Sequence, residues 1–505
     1  MSLVYDNISA IATAAAAAAL AWLFGGAFGA AMFPVTPWIC VVLLEVAVCF
    51  PQRHPSETSY EARVRAWKAM RRDPFVWMSV ALILLLAIPF VNNGLCVNCD
   101  WREISQGANP EPPARHLPFC VDRLDHLRVF LWFLPACIAA VAARHSLTRS
   151  GKLAMLEMLV WNGVALTAVG VAQSVTGAQG PLWVADEDSS YFFSTFGYAN
   201  TGGDYFTSLF LIAVALWRHR VEELRETTRA KKESRLARHS RFWRRNYLLI
   251  PAVILYFAAL NTLSRASIIL ATTAAAIMFL HTAACFLARM KKAKRVRAGA
   301  YAGLSLALLF VAANFFMPQG VKKEVKTIDA DDVAERVSGR GSALLESAKT
   351  LWHDHLLFGC GGWGYKHLGI QKLTKWQYKH RQTQGGINVH NDYLQFLAEH
   401  GIAGFGLMVA MVVVLLAPLA RTWRRLAKAA RFEKGGSRLP PPQSLFALPG
   451  SAFAILLSLA ATLVHAFGDC PFRCASVVTL FFLQLASLEG FLPRLPHEEG
   501  KDRKN

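Results

Sequence analysis

The sequence predicts an all-α, polytopic membrane protein of about twelve transmembrane helices, and three observations support this. Hydrophobic residues make up 54% of the 505 residues, charged residues 17%, and the mean hydropathy is +0.30; water-soluble proteins rarely show this balance. About twelve stretches approach the roughly 20 apolar residues that a spanning helix needs. Basic residues are concentrated in alternate loops, as the positive-inside rule describes.

The predicted apolar cores follow one another along the whole chain. They are 8–24, 33–50, 75–91, 127–143, 153–173, 204–217, 247–262, 267–288, 300–316, 402–420, 449–466 and 474–491. The first core is short and rich in small residues, so a cleaved signal peptide is the alternative. The preceding MSLVYDN carries Asp6 and no positive charge, so we predict a first span instead.

The net charge of +20 raises the question of nucleic-acid binding. With the N-terminus inside, the inner segments hold 37 Lys and Arg residues and the outer segments hold 17. Of those 17, 11 lie in the segment 317–401, which is too long for the positive-inside rule to apply. The basic charge therefore indicates topology and contact with anionic membrane lipids, and no nucleic-acid partner is expected.

Four parts are predicted: transmembrane helices 1–9 in 1–316, a helical domain on the outer face in 317–401, helices 10–12 in 402–491, and a tail on the inner face in 492–505. The second part contains SALLESAKTLWHDHLL, whose apolar residues recur at spacings of three and four and so predict an amphipathic helix. The glycine-rich FGCGGWGYKH and the basic, aromatic KLTKWQYKHR follow it. An 85-residue segment of this kind is too long for a simple connector.

The cysteines outside the spans do not identify a function. CVNC at 96–99 has metal or redox spacing, but no second CxxC follows it. A disulfide that joins Cys120 to Cys96 or Cys99 is favoured over a metal site if that face of the membrane is oxidising.

The stretch GGINVHNDYLQFLAEHGIAG, residues 385–404, concentrates groups that can accept or donate protons. Asp392 and Gln395 have the spacing of a capping box, and Gly401 is placed to end the helix. His390 then precedes a helix N-terminus, whose dipole opposes a positive charge on the imidazole. A neutral imidazole can accept a proton, and the same helix end can bind a phosphate group.

A purely structural interpretation of this stretch is the alternative. In that interpretation Asp392 is only a cap and His390 is only a polar residue at the membrane interface. For Glu399 and His400 we adopt the structural interpretation, in which they form the solvated last turn of the helix.

Arg265 is the only charged residue in the 28-residue run VILYFAALNTLSRASIILATTAAAIMFL. One helix of that length would measure ~42 Å, too long for a single span, so LSRAS predicts a turn at the outer surface. An arginine within a membrane segment is a functional candidate, and an interfacial anchor is the alternative. Arg340, in VSGRG, belongs to the same predicted face, and paired arginines bind phosphate oxygens well.

Two further polar segments lie on the same predicted face, FSTFGYANTGGDYF at 193–206 and HAFGDCPFRC at 465–474. Arginines that bind phosphate, together with a histidine base, suit a reaction in which an acceptor hydroxyl displaces a lipid-linked pyrophosphate.

Three motifs along the chain resemble those of a known family. They resemble the conserved block of the O-antigen ligase and O-antigen polymerase superfamily. In chain order they are LSRAS, GRGSALLESAKTLWHDHLLFGCGGWGY and VHNDYLQFLAEHGIAGFG. STFGYANTGG resembles its upstream motif, although Tyr198, Ala199 and Asn200 replace the common Asn-Pro-Asn, so Asn200 is not included among the candidate residues. The resemblance covers about residues 193–475.

The resemblance implies a multi-pass glycosyltransferase of the bacterial inner membrane whose active site faces the periplasm. Such an enzyme takes a glycan from undecaprenyl pyrophosphate, and in the ligases the acceptor is the lipid A core oligosaccharide. The family's catalytic histidine corresponds to His390, and its pyrophosphate-binding arginines correspond to Arg265 and Arg340.

We therefore expect Arg265 and Arg340 to hold the pyrophosphate while His390 takes the proton of the acceptor hydroxyl. Direct attack of the acceptor oxygen on C1 of the sugar, with the pyrophosphate as leaving group, would invert the anomeric centre. No metal or other cofactor is expected, because the leaving group is activated and cationic side chains can neutralise it. Nor do we find in the sequence an HExxH motif or a carboxylate cluster that would hold a divalent ion or a nucleotide. Activity that disappears in EDTA and returns with Mg²⁺ would contradict this expectation.

Three other functions remain open. An O-antigen polymerase or a protein O-oligosaccharyltransferase would use the same donor; we prefer a ligase because the large basic, aromatic outer domain has room for a lipid-anchored core. After gene deletion, accumulation of undecaprenyl-linked polymer indicates a ligase, whereas single repeat units on the core indicate a polymerase. A transporter of lipid-linked sugars predicts inverted repeats and polar groups near the bilayer midplane, but charged residues are scarce in the span centres.

Overall fold

The structure is a computed structural model of the full chain. It describes residues 2–23, 25, 29–52, 56–93, 112–114, 116–184, 192–227, 235–288, 319–326, 341–372, 388–432 and 448–493. Within these ranges the chain is predominantly helical and forms no β-strand. The predicted all-α class is therefore confirmed.

The α-helices are numbered here in chain order. They are α1 (Ser2–Trp22), α2 (Gly29–Cys49), α3 (Ser59–Arg72), α4 (Pro74–Ala87), α5 (Arg123–His145), α6 (Arg149–Thr176), α7 (Ala199–Thr227), α8 (Arg235–Asn246), α9 (Leu249–Asn261), α10 (Arg265–Ala288), α11 (Gln319–Lys326), α12 (Gly341–Asp354), α13 (Gly364–Leu368), α14 (Asp392–Phe432), α15 (Gly450–Gly468) and α16 (Ala475–Ser487).

The number of membrane spans is not confirmed. In the part of the chain that the structure describes, six helices are long and apolar enough to cross a membrane, or up to seven if α3 and α4, which bend by 69°, form one span. Eleven of the predicted cores overlap a helix, and the core at 300–316 lies outside the described residues. However, α9 has 13 residues, which gives ~20 Å against a hydrocarbon core of ~30 Å.

Helix α7 forms the centre of the bundle. It packs against α15, α9, α6 and α10, and every residue from 201 to 216 is buried. Helix α5 is also largely buried, and it packs against α16 and α2. In contrast, only 17% of the most apolar part of α14 is buried, so α14 presents apolar side chains at the periphery, where a spanning helix meets lipid.

The predicted amphipathic helix in the segment 317–401 is observed as α12. Its Ala348 and Leu351 are buried, and the helix packs against α14. A glycine turn, defined here as residues 358–364, comes after α12. The placement of this segment on the periplasmic face stays a prediction.

Helix α14 is interrupted at Gly401, the residue where the sequence predicts a helix end. Gly401 has φ +61° and ψ −170°, so the regular hydrogen bonds of the helix are broken there. Backbone groups on both sides of this kink bond to the segment after α12. The Ile402 amide donates to the Leu356 carbonyl at 3.0 Å, and the Cys360 amide donates to the Ala398 carbonyl at 3.1 Å. The first part of α14, residues 392–400, is therefore fixed to the glycine turn.

The predicted disulfide is not tested. Cys96 and Cys99 lie outside the described residues. Cys120 is buried, and its thiol donates to the Pro89 carbonyl oxygen at 3.2 Å.

Candidate active site around His390

His390 directly precedes the capping residue of α14. The Asn391 carbonyl oxygen Oδ1 accepts from the Leu394 amide at 2.9 Å, so Asn391 caps the helix. The predicted capping box of Asp392 and Gln395 is wrong. Asp392 is the first helical residue, and its Oδ2 accepts from the Phe472 amide at 2.8 Å. The Asp392 carboxylate therefore binds the loop after α15 and does not cap its own helix, contrary to the prediction from the sequence.

His390 pairs with a carboxylate that the sequence analysis did not single out. Its Nδ1 lies 3.3 Å from Oδ1 of Asp469, the residue that follows α15. The His390 side chain is 48% exposed, whereas that of Asp469 is 6% exposed. The imidazole therefore has a buried anchor on one edge and remains accessible from outside the protein.

Asp469 is held by several donors besides His390. The Tyr198 hydroxyl donates to its Oδ1 at 2.9 Å, the Cys470 amide donates to the same oxygen at 2.7 Å, and the Asn200 side-chain amide donates to Oδ2. Burial by itself would raise the pKa of Asp469. The hydrogen bond with His390 and the charge interaction between the two side chains outweigh burial and hold this pKa below its ordinary value.

The structure places Arg265 at the start of a helix, as the first residue of α10. The predicted break in the apolar run is confirmed, because α9 ends at Asn261 and Leu263 has φ +58°. The Ser264 hydroxyl oxygen accepts from the Ser267 amide at 3.2 Å and so caps α10. The Arg265 residue is half-buried.

The turn before Arg265 packs against the start of α7. Gly203 lies so close to this turn and to the first turn of α10 that an added Cβ would overlap the hydroxyl oxygens of Thr262 and Ser267. Asn200, one helical turn earlier on α7, donates to Asp469, and Asp469 contacts His390. These contacts place the Arg265 turn and His390 at the same end of the helical bundle.

Arg340 lies outside the described residues. The next residue, Gly341, begins α12, so the role of Arg340 stays a prediction. The same holds for the basic run KLTKWQYKHR, of which only Lys372 is described.

Glu399 and His400 do not form a solvated last turn; that interpretation is wrong. Their exposed fractions are 0% and 3%. Glu399 forms an ion pair with Arg473 Nη2 at 2.7 Å, and the Gln395 amide donates to it at 3.0 Å. Asp392 is the second carboxylate near Arg473, at 3.6 Å from Nε. The loop 469–474 supplies the cation that allows these acidic groups to be buried.

Within the described part of the chain, one group of side chains has ligand atoms close enough together to hold a metal ion: His390, Asp469 and Cys470. Their donor atoms lie within 4.8 Å of one another. Burial raises the pKa of the Cys470 thiol well above its ordinary value, so a bound metal ion would have to displace the thiol proton. The His390–Asp469 pair by itself has an arrangement that suits proton transfer, because an accessible imidazole is held by a buried carboxylate.

The side chains around His390 that the sequence analysis missed, such as Tyr198 and Asp469, come from the two polar segments at 193–206 and 465–474. The sequence marks these segments as polar but does not indicate which of their residues contact His390. Asn200 is set aside in the sequence analysis because its motif departs from the family's form. Its contact with Asp469 joins the two segments.

Residues 250–409 match a family model described as O-antigen ligase. This match includes Arg265, Arg340 and His390, but Asn200 and Asp469 lie outside it. The comparison with curated proteins gave no match.

Proposed function

Because residues 250–409 place this chain in the O-antigen ligase superfamily, we propose that it is a ligase that transfers a glycan from undecaprenyl pyrophosphate to the lipid A core oligosaccharide. The superfamily consists of glycosyltransferase-like enzymes of lipopolysaccharide assembly, and the apolar helices agree with a membrane location. The proposed location is the bacterial inner membrane, with the active site facing the periplasm.

The observation that carries the proposal is the His390–Asp469 pair. With Nδ1 held by a buried carboxylate at 3.3 Å, the Nε2 atom of His390 is the nitrogen that takes the acceptor proton. Asp469 orients the ring and stabilises the imidazolium that forms. Since Tyr198 and Asn200 also donate to Asp469, the carboxylate keeps one orientation during this transfer.

Arg265 and Arg340 have the proposed role of holding the donor's pyrophosphate. Guanidinium groups bind phosphate oxygens through parallel hydrogen bonds and carry their charge at every relevant pH. As the bond between C1 of the sugar and the phosphate oxygen breaks, the negative charge grows on the pyrophosphate, and these groups stabilise it. The acceptor oxygen attacks C1 from the opposite side, so the anomeric centre inverts.

The test uses the purified full-length protein with an undecaprenyl-linked glycan and a lipid A core acceptor. We expect His390→Ala to lower kcat by about 10²- to 10⁴-fold, the usual loss when a general base is removed. His353→Ala is the matched control, because His353 is an exposed histidine on α12 outside the proposed site, and it should retain activity.

Two outcomes would contradict the proposal. One is an His390→Ala protein that is correctly folded and transfers glycan at the wild-type rate. The other is a wild-type protein that extends a second lipid-linked glycan and leaves the lipid A core unmodified, which would favour the polymerase.

A further inference from the structure

We propose that helix α3 binds an anionic phospholipid of the inner leaflet in a groove at Lys68 and Arg72. The groove runs along α3 and has a volume of about 520 Å³. Its described lining residues all belong to this helix: Tyr60, Glu61, Val64, Arg65, Lys68, Ala69 and Arg72. Because the groove and His390 lie at opposite ends of the bundle, the inference is independent of the proposed function.

Helix α4 separates α3 from the candidate active site. Near the end of α4, the Leu86 carbonyl oxygen lies 2.7 Å from Nε2 of His126. Nδ1 of the same ring accepts from the Gly362 amide at 2.8 Å, and the glycine turn bonds to the first part of α14. Helix α3 ends at Arg72, just before α4 begins at Pro74. With the candidate site on the predicted outer face, α3 is predicted to lie on the inner face.

The angle between α3 and α4 places α3 along the membrane surface. The two helices are bent by 69°, so α3 runs about 20° from the membrane plane when α4 stands upright. Tyr60 and Trp67 on α3 and Trp77 on α4 are exposed, and Trp77 Nε1 donates to the Arg71 carbonyl oxygen at 2.9 Å. Tyrosine and tryptophan are enriched at the headgroup level of a bilayer. Helix α3 therefore has the features of an interfacial helix.

The packed face of α3 determines where the groove points. This face contacts α2 and α5, and it consists of three buried residues: Ala62, Ala66 and Met70. At about 3.6 residues per turn, Lys68 and Arg72 lie on the side away from these residues, and Lys68 lies ~100° around the helix from Trp67. With the Trp67 ring at the edge of the bilayer, the two cations lie level with the lipid phosphates.

Two cations of the groove are available to bind an anion. Lys68 and Arg72 are exposed, and in the described ranges neither side chain forms a hydrogen bond or an ion pair. Arg65 is the third cation, but its Nε is already paired with Oε1 of Glu57 at 2.9 Å. The groove therefore binds a phosphate through Lys68 and Arg72.

The nearby carboxylates do not neutralise these two cations. Glu61 is held in the capping box at the start of α3, ~10 Å along the helix from Lys68. Asp73 is buried, and it is paired with Nη2 of Arg144 at 2.8 Å. The second half of the groove consequently carries an excess of positive charge, which attracts the anionic lipids of the inner leaflet.

A phospholipid matches both parts of the groove. Tyr60 and Val64 line it with apolar surface, and Lys68 and Arg72 line it with positive charge. A lipid supplies an acyl chain for the first pair and a phosphate for the second, whereas inorganic phosphate supplies only the charge. Phosphatidylcholine carries its own cation beside the phosphate, so a lipid with net negative charge, such as phosphatidylglycerol, gains more from the two cations.

The test uses the purified full-length protein in nanodiscs of phosphatidylcholine that contain phosphatidylglycerol with a photoreactive diazirine near its glycerol. We expect saturable crosslinks to residues 60–72 and competition by unlabelled phosphatidylglycerol. Lys68→Gln combined with Arg72→Gln should raise the half-saturating fraction of the photoreactive lipid roughly five-fold for each charge removed.

Arg63→Gln combined with Arg71→Gln is the matched control. Arg63 and Arg71 are exposed on the same helix but do not line the groove, so this pair of substitutions removes the same charge from α3. Its half-saturating lipid fraction should stay close to that of the wild type.

Three results would overturn the proposal. Equal losses in the two double variants would show attraction by the whole charge of α3 and no binding in the groove. Equal crosslinking by a photoreactive phosphatidylcholine would show that the groove does not select negative charge. Competition by inorganic phosphate would show that the acyl chain is not required.

Discussion

His390 and Leu263 share an unusual backbone conformation, with φ of +56° and +58°. Residues other than glycine seldom adopt positive φ, and such strain costs about 1–3 kcal/mol per residue. It persists where surrounding contacts fix the chain, and it is concentrated at functional sites. Here one strained residue is the proposed base itself, and the other stands two positions before Arg265. The strain thus occurs at His390 and in the turn before Arg265, although it is not confined to them, since Leu182, Trp183, Ser194 and Trp363 also have positive φ.

Asp469 gives a residue-scale prediction about pH. Its folded-state pKa is lower than the ordinary value of 3.8, so its ionised form stabilises the fold at pH values above 3.8. That contribution is lost as pH falls through the lowered pKa. We expect Asp469→Asn to unfold at a lower temperature than the wild type at pH 6, and the difference to shrink below pH 3.8.

The measurement is the thermal unfolding midpoint of both proteins in detergent between pH 6 and the most acidic pH at which they remain soluble. Tyr198→Phe is the control, since it removes one donor to Asp469 but leaves the carboxylate in place, and it should keep the pH dependence. A difference between Asp469→Asn and the wild type that is the same at every pH would contradict the assignment.

The central feature at the element scale is the kink in α14. Residues 392–400 follow the Asn391 cap and carry the polar contacts, whereas residues 402–420 are apolar. The glycine turn bonds to the backbone before the kink, and Leu356 and Leu357 accept from the amides after it. These bonds satisfy groups that an interrupted helix would otherwise leave unpaired. The kink allows one continuous segment to serve both as part of the site and as a membrane helix.

Two glycines of α14 provide a matched pair for testing the kink. Gly401 has φ +61° and ψ −170°, a region open essentially to glycine alone, and an added Cβ would overlap the Leu357 carbonyl group. Gly401→Ala should therefore destabilise the protein by at least about 1–3 kcal/mol. Gly406 has open space around it, so Gly406→Ala should stabilise the helix by about 0.5–1 kcal/mol.

Thermal unfolding midpoints in detergent distinguish the two variants. If Gly401→Ala and Gly406→Ala shifted the midpoint equally, the kink would not be the feature that makes Gly401 necessary.

At the scale of the whole molecule, the helix contacts determine which segments share an end of the bundle, and the distribution of charge predicts which side of the membrane that end faces. His390, Asp469 and the start of α7 lie together through direct contacts. The segment 218–246, which contains α8, carries 11 of the 37 predicted inner basic residues. The positive-inside rule therefore predicts that α8 and the candidate site are on opposite sides.

Cysteine labelling in intact cells tests this topology. Phe467 is 65% exposed near Asp469, and Trp243 is 51% exposed on α8. We expect Phe467→Cys to react with a membrane-impermeant maleimide added outside the inner membrane, and Trp243→Cys to react only after the membrane is opened. The unsubstituted chain measures the background from the native cysteines. The reverse pattern of labelling would place the candidate site in the cytoplasm.

The helices and their breaks are largely predictable from the sequence. The apolar runs, the break before Arg265, the amphipathic α12 and the interruption at Gly401 all depend on residues within a few turns of one another, where hydropathy, periodicity and glycine conformations act locally. The span count was less predictable, because an apolar run indicates burial in lipid or protein but does not indicate whether its helix is long enough to cross the bilayer.

The sequence by itself determined the all-α membrane class, the position of His390 before a helix and the break in the apolar run around Arg265. The tertiary structure alone decided which groups surround them. His390 contacts Asp469 across 79 positions of the chain, and Asn200 contacts Asp469 across 269. Glu399, which the sequence placed at the surface, is buried in an ion pair with Arg473. Such pairings depend on how separate helices pack, and local patterns carry no information about partners so far away in the sequence.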